Sequence, residues 1–469
     1  MEVFSTTQQA VLSHARSASW GWIEVFVLIQ TFSTALLFLP NSQDYRFVIR
    51  ALPYASSVVL AAFYYNRTKG RLILPPGAGF VGAAMLLLAL NLFHSTTVFP
   101  AGIAQLLFQL TISAPVLWVA SQVETKEKLE RILWILFLAN GASALLGLAQ
   151  VFYPKTLMPQ FSSLALSMNP EIVRSLSYVG ASGQQIVRPP GLSDLPGGAA
   201  IGGYVAGLLG LLFGSRPNQR LLRRIFCFAI AAAGISVIYF TQVRAFLVML
   251  VVAVVGMCVL MVRQARFAQS AWIGGVCALL LVATFAWAVA VGGKGVFARF
   301  TAITDGGVLQ SFQENRGIFV RYTLQDIVQE YPFGAGVGRW GMMGVYFPGD
   351  AQQAKPIWVE IQMTGWLLDG GILMWLFYGG AIFLSLHYLY RVSTSLIDRD
   401  MAYLASIVLC LNVFVVGLSF AGPTFNNQLG MQYWFLTAAL YGVSRRVQPA
   451  YSPGFDKSQV AAAQHNASS

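Results

Sequence analysis

The chain has 469 residues, 56% of them hydrophobic and only 10% charged, where an average soluble domain carries about 25% charged residues. That balance excludes a water-soluble globular fold. The formal net charge of +12 is spread over many short connections, which reads as a membrane-orientation signal and not as nucleic-acid binding.

A helix needs ~20 apolar residues to cross a hydrocarbon core ~30 Å thick, and such runs recur along nearly the whole chain. In order they fall near 20–40, 47–65, 78–98, 101–120, 131–152, 197–214, 225–241, 246–262, 271–291, 363–390, 402–420 and 429–443. The fold class expected is an all-α polytopic membrane protein with about twelve transmembrane helices. Its transmembrane domain covers 20–446. Residues 1–19 are polar and do not read as a cleavable signal peptide. Residues 447–469, rich in Ala, Ser and Gln, read as a disordered tail.

Basic residues in short loops are retained in the cytoplasm. With the N-terminus inside, the inner connections carry Arg67, Lys69 and Arg71; Lys126 and Lys128; Arg216, Arg220, Arg223 and Arg224; Arg263 and Arg266; Arg391 and Arg399; and Arg445 and Arg446. The short outer turns near Pro100 and between Phe420 and Leu429 carry none. Both termini are therefore expected in the cytoplasm. Cys227, Cys258, Cys277 and Cys410 all lie in apolar runs without metal-ligand spacing, as packing residues do.

Two long connections face outward, 153–196 and 292–362, both with enough Trp, Phe, Tyr and Ile to be ordered. In the second, Val320, Leu324, Ile327, Val328 and Tyr331 form the apolar stripe of an amphipathic helix ending at Pro332, with Arg321, Gln325 and Gln329 on its polar face. Such a helix either lies on the membrane surface or covers a site.

The outward positive charges are mostly arginines: Arg174 and Arg188 in the first loop, Arg299, Arg316, Arg321 and Arg339 in the second, and Arg244 in the short turn Thr241-Gln242-Val243-Arg244. A guanidinium forks onto phosphate oxygens, which suits the grip of a diphosphate at a membrane surface. A single interfacial arginine can equally snorkel to lipid headgroups, although the short turn argues otherwise for Arg244. Histidine offers little outside: His14 and His465 are near the termini, His387 is near an inner end, and His94 reads as a satisfied buried residue. A proton acceptor must then be Asp194, Asp305, Glu314, Glu360 or Asp369, of which Glu360 and Asp369 flank the entry to the tenth span. Gly334, Gly336 and Gly338 have neither the strand before nor the Lys-Ser/Thr after that a phosphate loop needs, and read as tight turns. No metal-ligand cluster stands out, and no cofactor is implied.

Several segments together carry a resemblance. They are Arg188-Pro-Pro-Gly-Leu-Ser-Asp-Leu-Pro-Gly-Gly, Thr241-Gln-Val-Arg244-Ala, Arg316 and Arg321 through Tyr331-Pro-Phe-Gly-Ala-Gly-Val-Gly, and Leu367-Leu-Asp-Gly-Gly-Ile-Leu. In order and loop placement they resemble the O-antigen ligase and O-antigen polymerase superfamily of bacterial inner-membrane glycosyltransferases. The resemblance implies metal-independent transfer of an oligosaccharide from undecaprenyl diphosphate to an acceptor hydroxyl at the periplasmic face. It implies diphosphate binding by Arg188, Arg244, Arg316 and Arg321, with Arg244 catalytic, and further partners in membrane lipids, a flippase and a chain-length regulator. Two departures stand out. Val243 replaces the family's serine, and the ligase histidine has no counterpart, its position falling at or near Glu360, which becomes the candidate base. The reading expected is a polymerase of exopolysaccharide or O-antigen repeat units. The alternatives are a ligase moving glycan to a lipid or protein, and a transporter or flippase.

Overall fold

The computed structural model describes residues 20–39, 41–159, 176–195, 197–305, 307–347 and 357–447. The N-terminal segment, the tail beyond 447, and Arg174, His14 and His465 lie outside the described residues, as does the Asp305 side chain.

Apart from one small hairpin, the regular structure is helical: α1 (Trp22–Phe32), α2 (Arg46–Arg67), α3 (Ala78–Asn91), α4 (Phe99–Ser113), α5 (Lys126–Phe152), β1 (Ser177–Val179), β2 (Gln185–Val187), α6 (Ala199–Gly214), α7 (Leu221–Thr241), α8 (Arg244–Arg263), α9 (Phe267–Asp305), α10 (residues 307–330), α11 (Gln362–Ser393), α12 (Arg399–Leu418) and α13 (Gln428–Val447). Among the described residues eight helices are long and apolar enough to cross a membrane, as in a multi-pass membrane protein, and three shorter apolar ones accompany them.

The short ones depart from the ~20-residue runs expected, each for a local reason. The first continues as a 3₁₀ turn, Ser33–Phe38. The third stops at Asn91, and the apolar residues after it form a turn. The sixth, α6, is buried almost all round, so protein rather than lipid surrounds it and it need not match the bilayer. Small residues let α6 and α7 touch backbone to backbone: a Cβ on Gly203 would stand 2.5 Å from the Gly234 carbonyl, and one on Gly234 the same distance from that of Gly203. The fifth helix begins earlier than its apolar run, at Lys126, because Thr125 caps it by accepting the Lys128 N–H at 3.3 Å.

Two long helices are broken. α9 breaks at Gly293 and α11 at Gly370 and Gly371. A folded loop fills each of the breaks.

Candidate anion site and the loops that build it

The hairpin β1–β2 pairs Tyr178 with Ile186 in antiparallel register. Its turn fits into the break of α9, where the Ala181 N–H donates to the Val291 carbonyl at 3.0 Å. Gly293 has φ +65°, and a Cβ there would come within 2.9 Å of Ala181 Cα, so the close approach requires glycine. Arg188 follows β2 directly. Its N–H donates to Leu176 at 2.9 Å and its carbonyl accepts the Gly197 N–H at 3.1 Å, which brackets its backbone from both sides.

The Pro-Pro-Gly-Leu that follows is stitched to α5. Gln150 accepts the Gly191 N–H at 2.8 Å and donates to the Gly191 carbonyl at 3.0 Å, and Ser143 accepts the Leu192 N–H at 3.1 Å. The segment then passes the α7–α8 turn, where a Cβ on Gly197 would stand 3.6 Å from Val243 Cγ2. Arg244 is the first residue of α8.

The result is a convergence. Arg299, on the second half of α9, stands within electrostatic reach of both Arg244 and Arg188. Among the described residues none of the three forms an ion pair with a carboxylate. Arg188 is half-buried, and among the described residues neither its Nε nor the hydroxyl of the neighbouring Tyr178 has a hydrogen-bond partner. Burial pulls Arg188 below the ordinary guanidinium range, with the Tyr178 hydroxyl opposing that pull, and burial pushes the Tyr178 phenol above its own. Like charges gathered with donors to spare are unfavourable until an anion joins them. Arg299 was visible in the sequence as an outward arginine, but only the fold groups it with Arg188 and Arg244.

Asp194, a candidate proton acceptor in the sequence, is committed elsewhere. It is 3% exposed and lies between Arg46 and Arg50, with the Arg50 Nη2 at 2.7 Å from both carboxylate oxygens. Sequence reasoning passed over these two arginines. Their i, i+4 spacing at one end of α2 was the available signal, since it puts both on one face.

Arg316 and Glu360, both expected at the site, are brought together as an ion pair. The Trp358 indole donates to the other Glu360 oxygen at 2.7 Å. Arg321 is exposed on α10, on a face shared with the exposed Gln325 and Gln329. The apolar stripe of α10 is shifted from expectation: Leu324 is 50% exposed while Thr323 and Ile327 are buried. Two π-helical turns, Gln313–Gly317 and Thr323–Ile327, are the cause, because their wider winding rotates the face that meets α11. Thr323 is tied there to Thr364 at 2.6 Å. Glu314 bonds Gln310 at 2.9 Å in an exposed position.

The loop after α10 fills the break in α11. Ala335 N–H donates to Leu368 at 2.7 Å and Ile372 N–H to Pro332 at 3.0 Å. Gly371 has φ +65°, and a Cβ there would lie 2.6 Å from Phe333 Cα. Two motifs that the sequence shows separately thus form one structural unit. Gly334, Gly336 and Gly338 all have positive φ, in keeping with tight turns. His94 supports the same loop: its Nδ1 meets Thr96 Oγ1 at 2.9 Å, which donates to the Ala335 carbonyl at 2.6 Å. Arg339 donates to that carbonyl at 3.3 Å.

Asp369, at the break itself, is 1% exposed. It accepts from Gln105 at 3.4 Å and lies beside the Trp340 indole and the Gly338 amide. Gln105 and Gln109 both donate to Asn426, at 3.2 and 2.7 Å, and Gln109 accepts from Tyr378 at 3.1 Å. Among the described residues no three His, Cys, Asp or Glu side chains gather in a metal-ligand group. Compared with protein-family models and with curated proteins, the chain matches none.

Proposed function

We propose that this chain is a bacterial inner-membrane polysaccharide polymerase, related to the O-antigen ligase and polymerase superfamily, that joins oligosaccharide repeat units carried on undecaprenyl diphosphate. In this reading it crosses the membrane about twelve times with both termini in the cytoplasm, and Arg188, Arg244 and Arg299 face the periplasm. The observation that carries it is the convergence of these three arginines, from three separate segments, with no carboxylate paired to them among the described residues.

The acceptor sugar hydroxyl attacks the anomeric carbon of the donor, and the bond from that carbon to the diphosphate oxygen breaks. Negative charge develops on the departing undecaprenyl diphosphate, where preorganised guanidinium groups stabilise it most. The hydroxyl proton passes to Glu360. Arg316 holds Glu360 in the resting protein; when the donor arrives, Arg316 and the exposed Arg321 turn to the diphosphate and release the carboxylate. A glycan acceptor is the second substrate, and chain-length regulators and a flippase are the protein partners. Absence of the ligase histidine favours polymerisation over ligation.

The test is the glycan phenotype of a deletion strain. Loss of long polymer with single repeats still attached supports the polymerase, whereas finished polymer accumulating on the lipid carrier makes it a ligase.

One observation favours a second reading, a transporter: α11 breaks beside the buried Asp369, as discontinuous helices do at transporter sites. Reconstituted vesicles separate the two. Movement of a lipid-linked glycan that D369N stops, without any new glycosidic bond, supports transport; bond formation without net movement supports transfer.

A further inference from the structure

A groove of about 510 Å³ runs between α8 and α9, walled by Val251, Val255, Val259 and Val262 on one side and Gly274 and Ala278 on the other. It lies at the opposite end of α8 from Arg244. The wall from 251 to 262 is about 18 Å long at 1.5 Å per residue, close to the ~15 Å of one leaflet's hydrocarbon.

Small residues usually let helices close together; these do not. A Cβ on Gly274 would meet only Cys258 Sγ, at 3.7 Å. The two helices are joined at the base instead, where Ser270 Oγ donates to the Cys258 carbonyl at 3.1 Å. Gln264, in the turn between them, anchors that end to α11 and α12 by donating to the Ser393 carbonyl at 2.7 Å and to Ser406 Oγ at 3.0 Å. The groove is therefore held open by a braced turn.

Arg263 lines its mouth, and Arg266 follows three residues later in the turn toward α9. At this end of the molecule Lys126, Arg131, Arg216 and Arg446 each meet a carboxylate, on Asp398, Glu24, Glu130 and Glu124. Among the described residues Arg263 and Arg266 meet none. Aromatic faces orient them instead, Arg263 over Tyr390 at 5.7 Å and Arg266 over Tyr403 at 5.6 Å. Arg263 also donates to the Tyr390 hydroxyl, and Arg266 to the Arg399 carbonyl at 3.0 Å. Guanidinium groups positioned in this way, with further N–H donors beyond those bonds, match a phosphate at headgroup depth.

We propose that the α8–α9 groove is a binding site for an anionic glycerophospholipid of the leaflet at this end, with one acyl chain along the valine wall and the phosphate on Arg263 and Arg266. The acyl chain supplies the contacts that the glycine and alanine leave unmade, and the arginines select charge.

Native mass spectrometry of the full chain, released from mild detergent with added phosphatidylglycerol or phosphatidylcholine, tests this. The wild type is expected to keep one phosphatidylglycerol in preference to phosphatidylcholine. R263Q and R266Q should each reduce that preference about fivefold. Ala278→Leu, which fills the groove without touching charge, should lower the occupancy of both lipids while the protein stays monodisperse. Equal retention of the two lipids by wild type overturns the proposal. So does unchanged binding in the filled variant, displacement of phosphatidylglycerol by a polyprenyl phosphate, or a dimer that the filled variant dissociates.

Discussion

Arg316 and Glu360 form an ion pair across the approach of α10 to α11, and the Trp358 indole holds the carboxylate's other oxygen at 2.7 Å. In the proposed transfer the pair is a resting state that donor binding exchanges. Glu360→Gln, which keeps the shape but cannot take a proton, should lower turnover by roughly 10²- to 10⁴-fold with purified donor and acceptor. Arg316→Gln should weaken donor use while leaving the acceptor KM unchanged. Wild-type turnover in Glu360→Gln removes Glu360 as the proton acceptor.

The Arg46–Asp194–Arg50 cluster pins the loop after Arg188 to α2. Removing the shared carboxylate takes an ion-pair partner from both guanidinium groups at once, whereas removing either arginine leaves Asp194 a partner. Asp194→Ala should therefore lower stability by about 3 kcal/mol or more, with Arg46→Ala and Arg50→Ala each lowering it less. Thermal unfolding in detergent reads the order. An Asp194→Ala protein as stable as wild type shows that the cluster does not hold the loop.

Gly371 is the point where the loop after α10 meets the broken helix. Alanine there must take a left-handed backbone, unfavourable by about 1–2 kcal/mol, and displace Phe333 as well. Hydrogen exchange at the Ala335 and Ile372 amides, which donate into this junction, should accelerate in Gly371→Ala. Unchanged protection at both amides means the junction tolerates a side chain.

Asp398 offers a pH test at the other end. Burial alone raises its carboxyl, but the Met401 and Asp400 N–H groups and Lys126 outweigh it and hold the group below the ordinary range. A depressed folded-state value stabilises fully above the unfolded carboxylate range and is lost as pH falls through the folded value. Asp398→Asn should thus be less stable than wild type at neutral pH by a few tenths of a kcal/mol. The difference should shrink as pH falls through the depressed folded value, where the wild-type side chain is protonated too. A gap that is constant with pH would rule out the charge as its source.

Most helices were legible in the sequence because long apolar runs fold as helices, although among the described residues eight of them, not twelve, are long and apolar enough to cross a membrane. The shortfall came where the demand for length is relaxed, as in α6, enclosed by protein, and α3, which ends before its apolar run does. The α10 stripe was misphased because a 3.6-residue period cannot foresee two π turns. The arginines of the proposed site were legible as a set, being most of the basic residues in the outward connections. Their partners were not: Arg316 finds Glu360 at a separation of 44 residues and Arg46 finds Asp194 at 148, contacts that only the folded loops create. The motif glycines were visible, but not that one motif fills the helix break made by the other.

The most direct test of the account is titration of purified protein with a polyprenyl diphosphate, compared between wild type and Arg188→Gln, Arg244→Gln and Arg299→Gln. Each substitution removes a charge-assisted contact and should weaken binding by roughly tenfold or more, with the monophosphate bound more weakly than the diphosphate by wild type. Equal affinity for the diphosphate in wild type and all three variants would contradict the central claim that these arginines form its site.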